Sequence, residues 1–366
     1  MPETSSLEAE IRRRIVAAGP MPVDEYMALC LSDREHGYYM TRDPLGARGD
    51  FITAPEVSQM FGELIGLWMA AVWKRMGEPE SIRVIELGPG RGTMMSDALR
   101  ASKVMPAFRE AVVLHLIEIS PVLQGQQEAV LQDLPVPMFW HVALKDVPAG
   151  PAIIVANEFF DALPVNQAVR TERGWHQRLI GIDDQDRLAF TVAPEPMPHF
   201  ERVLPAEIRA AAPSSIYEWR TDTVAMEMGR RLSRDGGAAL VIDYGHAKST
   251  VGETLQAVGA HAYADPLTAP GTVDLTAHVD FATLALMVES IGAASFGPLA
   301  QGEFLRRLSI ETRAATLKTK ATEARAAEID AALVRLTGTR PADMGALFKA
   351  AAYAHPKLGT PPGFDG

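Results

Sequence analysis

Apolar positions recur at helical spacing over residues 6–18, over 22–31 and again over 56–76 (EVSQMFGELIGLWMAAVWKRM), so the first eighty residues are expected to be mainly helical. A Gly19-Pro20…Pro22 breaker separates the first two helices. Between the second and third lies 36-HGYYMTRDPLGARGDFITAP-55, which has no clean period; an irregular loop of that length is usually functional or disordered, and its aromatic content argues for order. From residue 82 the pattern changes. Short apolar runs at 82–87 (IRVIEL), 112–119 (VVLHLIEI), 136–140 (VPMFW), 152–156 (AIIVA) and 238–243 (AALVID) alternate with helical stretches at 93–103 and about 121–131. That alternation predicts a parallel sheet with crossover helices.

The gap between the fourth and fifth strands exceeds one crossover. Its apolar and polar residues alternate around the turn-like TERG and IDDQD, which predicts an inserted antiparallel hairpin over 164–213. A helix over 215–233 then leads to the fifth strand, followed by a loop region at 244–274, a helix at 276–291, a strand at 293–299 and Ala-rich helices to about 335. The expected organisation is an α/β protein with a helical extension over 1–80, a core over 81–163 and 214–335, the hairpin insert over 164–213 and a tail over 336–366. The last residues, HPKLGTPPGFDG, are expected to be loosely held.

Composition narrows the functional classes. With 366 residues and 47% hydrophobic positions the chain can bury a large core. A net charge of −11 argues against nucleic-acid binding, which calls for a concentrated basic surface. The single cysteine, Cys30, excludes an intrachain disulfide and a cysteine-built zinc site, and no His/Cys/Asp cluster has metal spacing. No run of about 18 apolar residues could span a bilayer. The opening MPETSSLEAEIRRRIVAAG lacks the apolar stretch of a secretory signal. The expectation is a soluble, cytoplasmic protein of unassigned oligomeric state.

Candidate chemistry centres on 84-VIELGPGRGTMMSDAL-99, where a strand ending in Glu86 runs into Gly88, Gly90 and Gly92 and then a helix. Such a turn lets the backbone approach a ligand without an intervening Cβ, at the strand ends where open α/β sheets bind ligands. Two ligand types compete. A dinucleotide fold wants G-x-G-x-x-G, whereas the third glycine here comes one residue early. Glu86 would repel a pyrophosphate but attract the ammonium of S-adenosylmethionine. Glu118, at the end of the second strand, is placed to take ribose hydroxyls.

The segments GDFITAPEVSQMFGELIG (49–66), VIELGPGRGTMMSD (84–97), LIEISPVLQ (116–124), ANEFFDALPV (156–165), VIDYGH (241–246) and DLTAHVDF (274–281) together resemble the MidA-like family of class I S-adenosylmethionine-dependent methyltransferases. The resemblance implies a Rossmann-like core with S-adenosyl-L-methionine as cofactor. For the mitochondrial members of that family it implies arginine methylation of a complex I quinone-module subunit in support of complex assembly. On its terms Glu86, Gly88, Gly90 and Gly92 would hold the methionine end and the edge of the adenosine, and Glu118 the ribose. Asp50, Phe51 and Thr53 would close over the cofactor.

Methylating a guanidinium calls for carboxylates that grip its planar fork. The fourth strand ends in 157-NEFFDALPV-165, which offers Asn157, Glu158 and Asp161, with His246 after the fifth strand as a candidate base. Structural roles compete for each of them, since Asn and Asp commonly brace turns. Three functional classes stay open: a protein arginine methyltransferase, a methyltransferase of small molecules, and a non-catalytic assembly factor that keeps the fold.

Overall fold

A computed structural model describes residues 6–42, 53–221, 223–259 and 262–365. The first core strands follow the expected apolar runs: β1 (Ile82–Leu87), β2 (Val112–Ile117), β3 (Met138–His141) and β4 (Ala152–Asn157). The insert supplies β5 (Asn166–Thr171), β6 (Gly174–Ile182), β7 (Leu188–Val192) and β8 (Ile216–Trp219). Then come β9 (Gly237–His246), a small meander of β10 (Gln256–Gly259), β11 (Ala262–Ala264) and β12 (Asp274–Thr276), and finally β13 (Ala294–Ala300) and β14 (Phe348–Ala354).

The main sheet has the order β13-β14-β9-β4-β1-β2-β3, parallel from β9 to β3, with β14 antiparallel to both neighbours. Both faces are covered, which is why β4 is buried along its whole length and apolar up to Asn157. Helices Gln59–Arg75 and Thr93–Ala101 and those between 301 and 337 pack one face. Helices Thr223–Asp235 and Phe281–Glu289 pack the other. The chain leaves β1 toward β2 and β3 and returns beside β1 as β4, so a crevice opens at their carboxyl ends.

Four expectations need correction. The helix expected over 56–76 is two helices, Ala54–Val57 and Gln59–Arg75, because Ser58 is extended and its Oγ accepts the Met60 amide at 3.2 Å. The stretch 215–233 begins as β8, paired with β5, and only then becomes the helix Thr223–Asp235. The supposed loop 244–274 contains the meander, whose strand β12 is buried. The supposed tail over 336–366 contributes β14 between the edge strand β13 and β9, and its last residues are docked: Trp68 Nε1 donates to the Pro362 carbonyl at 3.0 Å, and Phe364 packs on Phe304.

The insert is more than a hairpin. Strands β5, β6 and β7 join β8 and the two-residue bridge Met21–Pro22 in a five-stranded antiparallel sheet. The N-terminal helices Ser6–Ala18 and Val23–Ser32 share an apolar cluster with this sheet and the meander, which lashes the extension to the insert.

Candidate active site

A cavity of about 380 Å³ lies at the carboxyl ends of β1, β2 and β4, within the usual span of small-molecule sites. Its floor is the glycine turn, where Gly88, Gly90 and Gly92 all take positive φ, at 62°, 54° and 83°. Gly88 and Gly90 line the cavity. A Cβ on Gly88 would sit 2.8 Å from the Phe159 ring, so this glycine makes room for a neighbouring strand end as well as for a ligand. Gly92 does not line the cavity. It starts the helix Thr93–Ala101 in the left-handed region, and a Cβ there would meet Leu131 at 3.3 Å, so its close neighbour is another helix.

Two carboxylates face each other across the donor side. Glu86 is 2% exposed, and its Oε2 has no hydrogen-bond partner among the described residues. Burial, and then the nearby Glu118, push its carboxyl up to about 8. Glu118 is better braced: its Oε1 accepts the Ser120 amide at 2.7 Å and its Oε2 accepts Gln127 Nε2 at 3.0 Å. Gln127 also donates to the Gly90 carbonyl at 2.7 Å and accepts Trp140 Nε1 at 2.8 Å, so one buried amide joins the glycine turn to the second-strand acid. The sequence reading missed Gln127, whose only signal is its place in a helix nine residues after Glu118.

The opposite wall comes from the end of β4. Glu158 adopts φ 51°, a conformation a non-glycine residue holds only under tertiary constraint. Its Oε1 accepts the Ala54 amide and Asn157 Nδ2, both at 3.1 Å. Burial raises its carboxyl to about 7 against those hydrogen bonds, with Asp161 adding repulsion. Asn157 and Asp161 are 8% and 5% exposed, and the Oδ1 of each lacks a partner among the described residues. Burial likewise raises the Asp161 carboxyl.

Asp243, fully buried on β9, holds this turn in place. Its Oδ2 accepts the amides of Phe159, Phe160 and Asp161 at 3.0–3.2 Å, and its Oδ1 accepts that of Tyr244 at 2.9 Å. Strand β12 completes the wall with Asp274, which receives the Tyr39 hydroxyl on both oxygens at 2.9 and 3.0 Å. From sequence, Tyr39 is expected only as an aromatic walling the site and Asp243 only as part of the segment after the fifth strand facing the same edge; their hydrogen bonds, and the part played by Asp274, arise from tertiary contact.

Thr53 lines the cavity, whereas Asp50 and Phe51 lie outside the described residues. His246 is displaced from its expected position. Strand β9 runs on past Asp243 and pairs Gly245 and His246 with Val279 and Asp280, which carries the imidazole into a separate cavity of about 180 Å³. There its Nε2 lies 3.9 Å from Asp280, and burial lowers its pKa. No group of His, Cys, Asp or Glu side chains able to hold a metal ion occurs among the described residues, and none of their helices is long and apolar enough to cross a membrane.

Three buried, unpartnered acceptor oxygens around one cavity call for a ligand rich in donors and positive charge. An ammonium beside a sulfonium, with two ribose hydroxyls, fits that set. Residues 64–299 match the S-adenosyl-L-methionine-dependent methyltransferase family. The chain belongs to this family. It is 37% identical to a Drosophila melanogaster protein named protein arginine methyltransferase NDUFAF7 homolog, mitochondrial, over 94% of this chain and 84% of that one. Identity to the human protein arginine methyltransferase NDUFAF7, mitochondrial, is 36% over 85% of this chain and 76% of that one. A solved Burkholderia thailandensis protein bound to S-adenosyl-homocysteine superposes with a TM-score of 0.83 at 27% identity, covering 99% of this chain and 93% of that one.

The methyltransferase is therefore an enzyme of the class I fold that uses S-adenosyl-L-methionine, as the sequence indicated. The cytoplasmic expectation is corrected by the same comparisons, since the named relatives are mitochondrial proteins.

Proposed function

We propose that the methyltransferase modifies arginine on a protein substrate, and that this substrate is a quinone-module subunit of respiratory complex I. The observation that carries the reading is the wall of Asn157 and Asp161, where the Asn157 amide is spent on Glu158 and the bare Oδ1 atoms of both residues complement the donor fork of a guanidinium. The names of the relatives support it.

S-adenosyl-L-methionine supplies a methyl group on a positively charged sulfur. Glu86 holds the ammonium, Glu118 the ribose, and Gly88, Gly90 and Thr53 shape the bed beneath and beside them. Asn157 and Asp161 orient the guanidinium so that one nitrogen faces the methyl group. Free guanidinium is protonated at neutral pH, so the nitrogen must lose a proton as its new bond forms. Glu158, with a carboxyl raised to about 7, is suited to take that proton, because a base titrating near the working pH transfers protons most effectively.

Purified protein is incubated with radiolabelled cofactor and mitochondrial or bacterial lysate, and labelled proteins are mapped by mass spectrometry. Methyl-arginine in a quinone-module subunit, lost with Asp161→Asn while the variant still binds cofactor, is the expected result. Label that appears in small metabolites and not in protein overturns it.

A further inference from the structure

We propose that Arg220 is a positioning residue for methyl transfer, fixing from behind the cavity the turn that carries Asp161 and supplying positive charge beneath that carboxylate. Arg220 directly follows β8, is 8% exposed, and lines the second cavity, so it touches neither cofactor nor acceptor.

Its guanidinium is spent on main-chain carbonyls. Nε donates to Leu163 at 3.2 Å, Nη1 to His278 at 2.8 Å, and Nη2 to Asp161 at 3.3 Å and Ala277 at 2.6 Å. The Ala277 amide also donates to the Asp161 carbonyl, at 3.0 Å. One side chain thus stitches the turn 161–163 to the segment that leaves β12, and so fixes the relative place of the walls that carry Asp161 and Asp274.

No carboxylate comes within salt-bridge distance of Arg220 among the described residues, so its charge is uncompensated by contact and acts on the acidic turn. The groups facing Asp161 are Glu158 on its own turn, Asp243 and Tyr244 from β9, Tyr39 from the short helix Tyr38–Thr41, and Arg220. Arg220 is the cation in that set. Burial raises the carboxyls of Asp161 and Asp243; the Tyr244 side-chain hydrogen bond and then Arg220 oppose that rise at Asp161, and Arg220 opposes it more weakly at Asp243.

Arg231 provides an internal control. It is more deeply buried, at 2% exposure, and also donates to carbonyls, those of Leu144, Val147 and Pro148, but these lie in the segment after β3 and none belongs to the turn 159–163. Arg220→Lys keeps the charge and loses the fork, Arg220→Gln loses both, and Arg231→Gln removes a comparable brace elsewhere.

The inference rests on Asp161 serving the acceptor side. The test is a carboxyl-carbon NMR titration of aspartate-labelled protein saturated with S-adenosylhomocysteine, with the Asp161 signal assigned by its absence in Asp161→Asn. Arg220→Gln is expected to raise the Asp161 midpoint, the direction in which loss of a nearby positive charge moves a carboxyl. Arg220→Lys restores the midpoint to near wild type, yet transfers methyl from radiolabelled cofactor to lysate protein about tenfold more slowly because the turn is looser. Arg231→Gln leaves the midpoint unmoved.

An unchanged midpoint in Arg220→Gln, or an equal shift in Arg231→Gln, overturns the proposal. Should Arg220→Gln fail to bind S-adenosylhomocysteine, Arg220→Lys decides: wild-type transfer in that variant also overturns it. Wild-type transfer by Asp161→Asn would instead sink the acceptor-side reading, while the titration still reports on Arg220.

Discussion

The two halves of the cavity are built on opposite plans. The donor half, around Glu86, Glu118 and the glycine turn, comes from two adjacent strands and the residues that follow them, and Glu86 has an oxygen bare of protein partners. The acceptor half gathers Tyr39, Ala54, Glu158, Asp161, Asp243 and Asp274 from distant parts of the chain and wires most of them to one another. Both halves keep bare oxygens for a ligand, Glu86 in one and Asn157 and Asp161 in the other, but a half made by local chain geometry has its acids placed by the backbone itself. A half assembled over long sequence distances needs internal hydrogen bonds to exist at all. Damage to one half should therefore leave the other working.

The harshest test of that separation is Gly90→Val. A branched side chain at φ 54° costs about 1–2 kcal/mol of backbone strain and intrudes on the cavity, so calorimetry should show cofactor affinity reduced by about 100-fold or more in a folded protein. Asp161→Asn attacks the other half. Transfer rate should fall by about 10²–10³, as when a positioned catalytic group is removed, with cofactor affinity changed less than about threefold.

Glu86 gives the donor half a pH signature. Its carboxyl is raised to about 8 in the free protein, and a bound ammonium favours the charged form, so cofactor binding releases a proton. Affinity should rise about tenfold per pH unit up to pH 8 and then level, and Glu86→Gln should flatten the slope. For stability the sign is opposite. A carboxyl whose folded pKa is raised contributes stability below its ordinary value near 4.5, and that contribution is lost as pH climbs through 8. Without cofactor, Glu86→Gln should therefore melt about 2 °C or more above wild type at pH 8.5, and show less gain at pH 5.

Gln127→Ala loosens the same half more gently, because Glu118 keeps its bond from the Ser120 amide. Cofactor affinity should drop about tenfold with transfer at saturating cofactor nearly unchanged, a split that steady-state kinetics reads directly. The mildest case is His246→Ala. With the imidazole in the second cavity, transfer should change by less than about twofold, and a larger loss would place His246 back in the acceptor half.

The same contrast explains what sequence reveals. Buried parallel strands such as β4 advertise themselves as unbroken apolar runs, and Glu86 and Glu118 sit at the ends of two of them, so the donor half was legible from short windows. Strand β8 was hidden because IYEW leads almost directly into an amphipathic helix. Strand β14, FKAAAYA, was hidden because alanine carries little strand signal and the pairing partners lie far away in sequence. His246 was misplaced because nothing in VIDYGH shows that the strand continues through it. Asp243 looked like a strand-end acid, and its four amide partners become apparent only when β4 and β9 lie side by side.

The place of β14 also bears on how the protein is made. Among the described residues β13 pairs only with β14 in the sheet, and β9 meets β14 along its outer edge, so both pairings wait on residues up to 354. Synthesis near the N-terminus therefore yields the cofactor crevice early, and closure of the sheet waits on nearly the whole polypeptide. A chain ending shortly before that point would leave the β9 edge of the sheet open to pairing with a foreign strand.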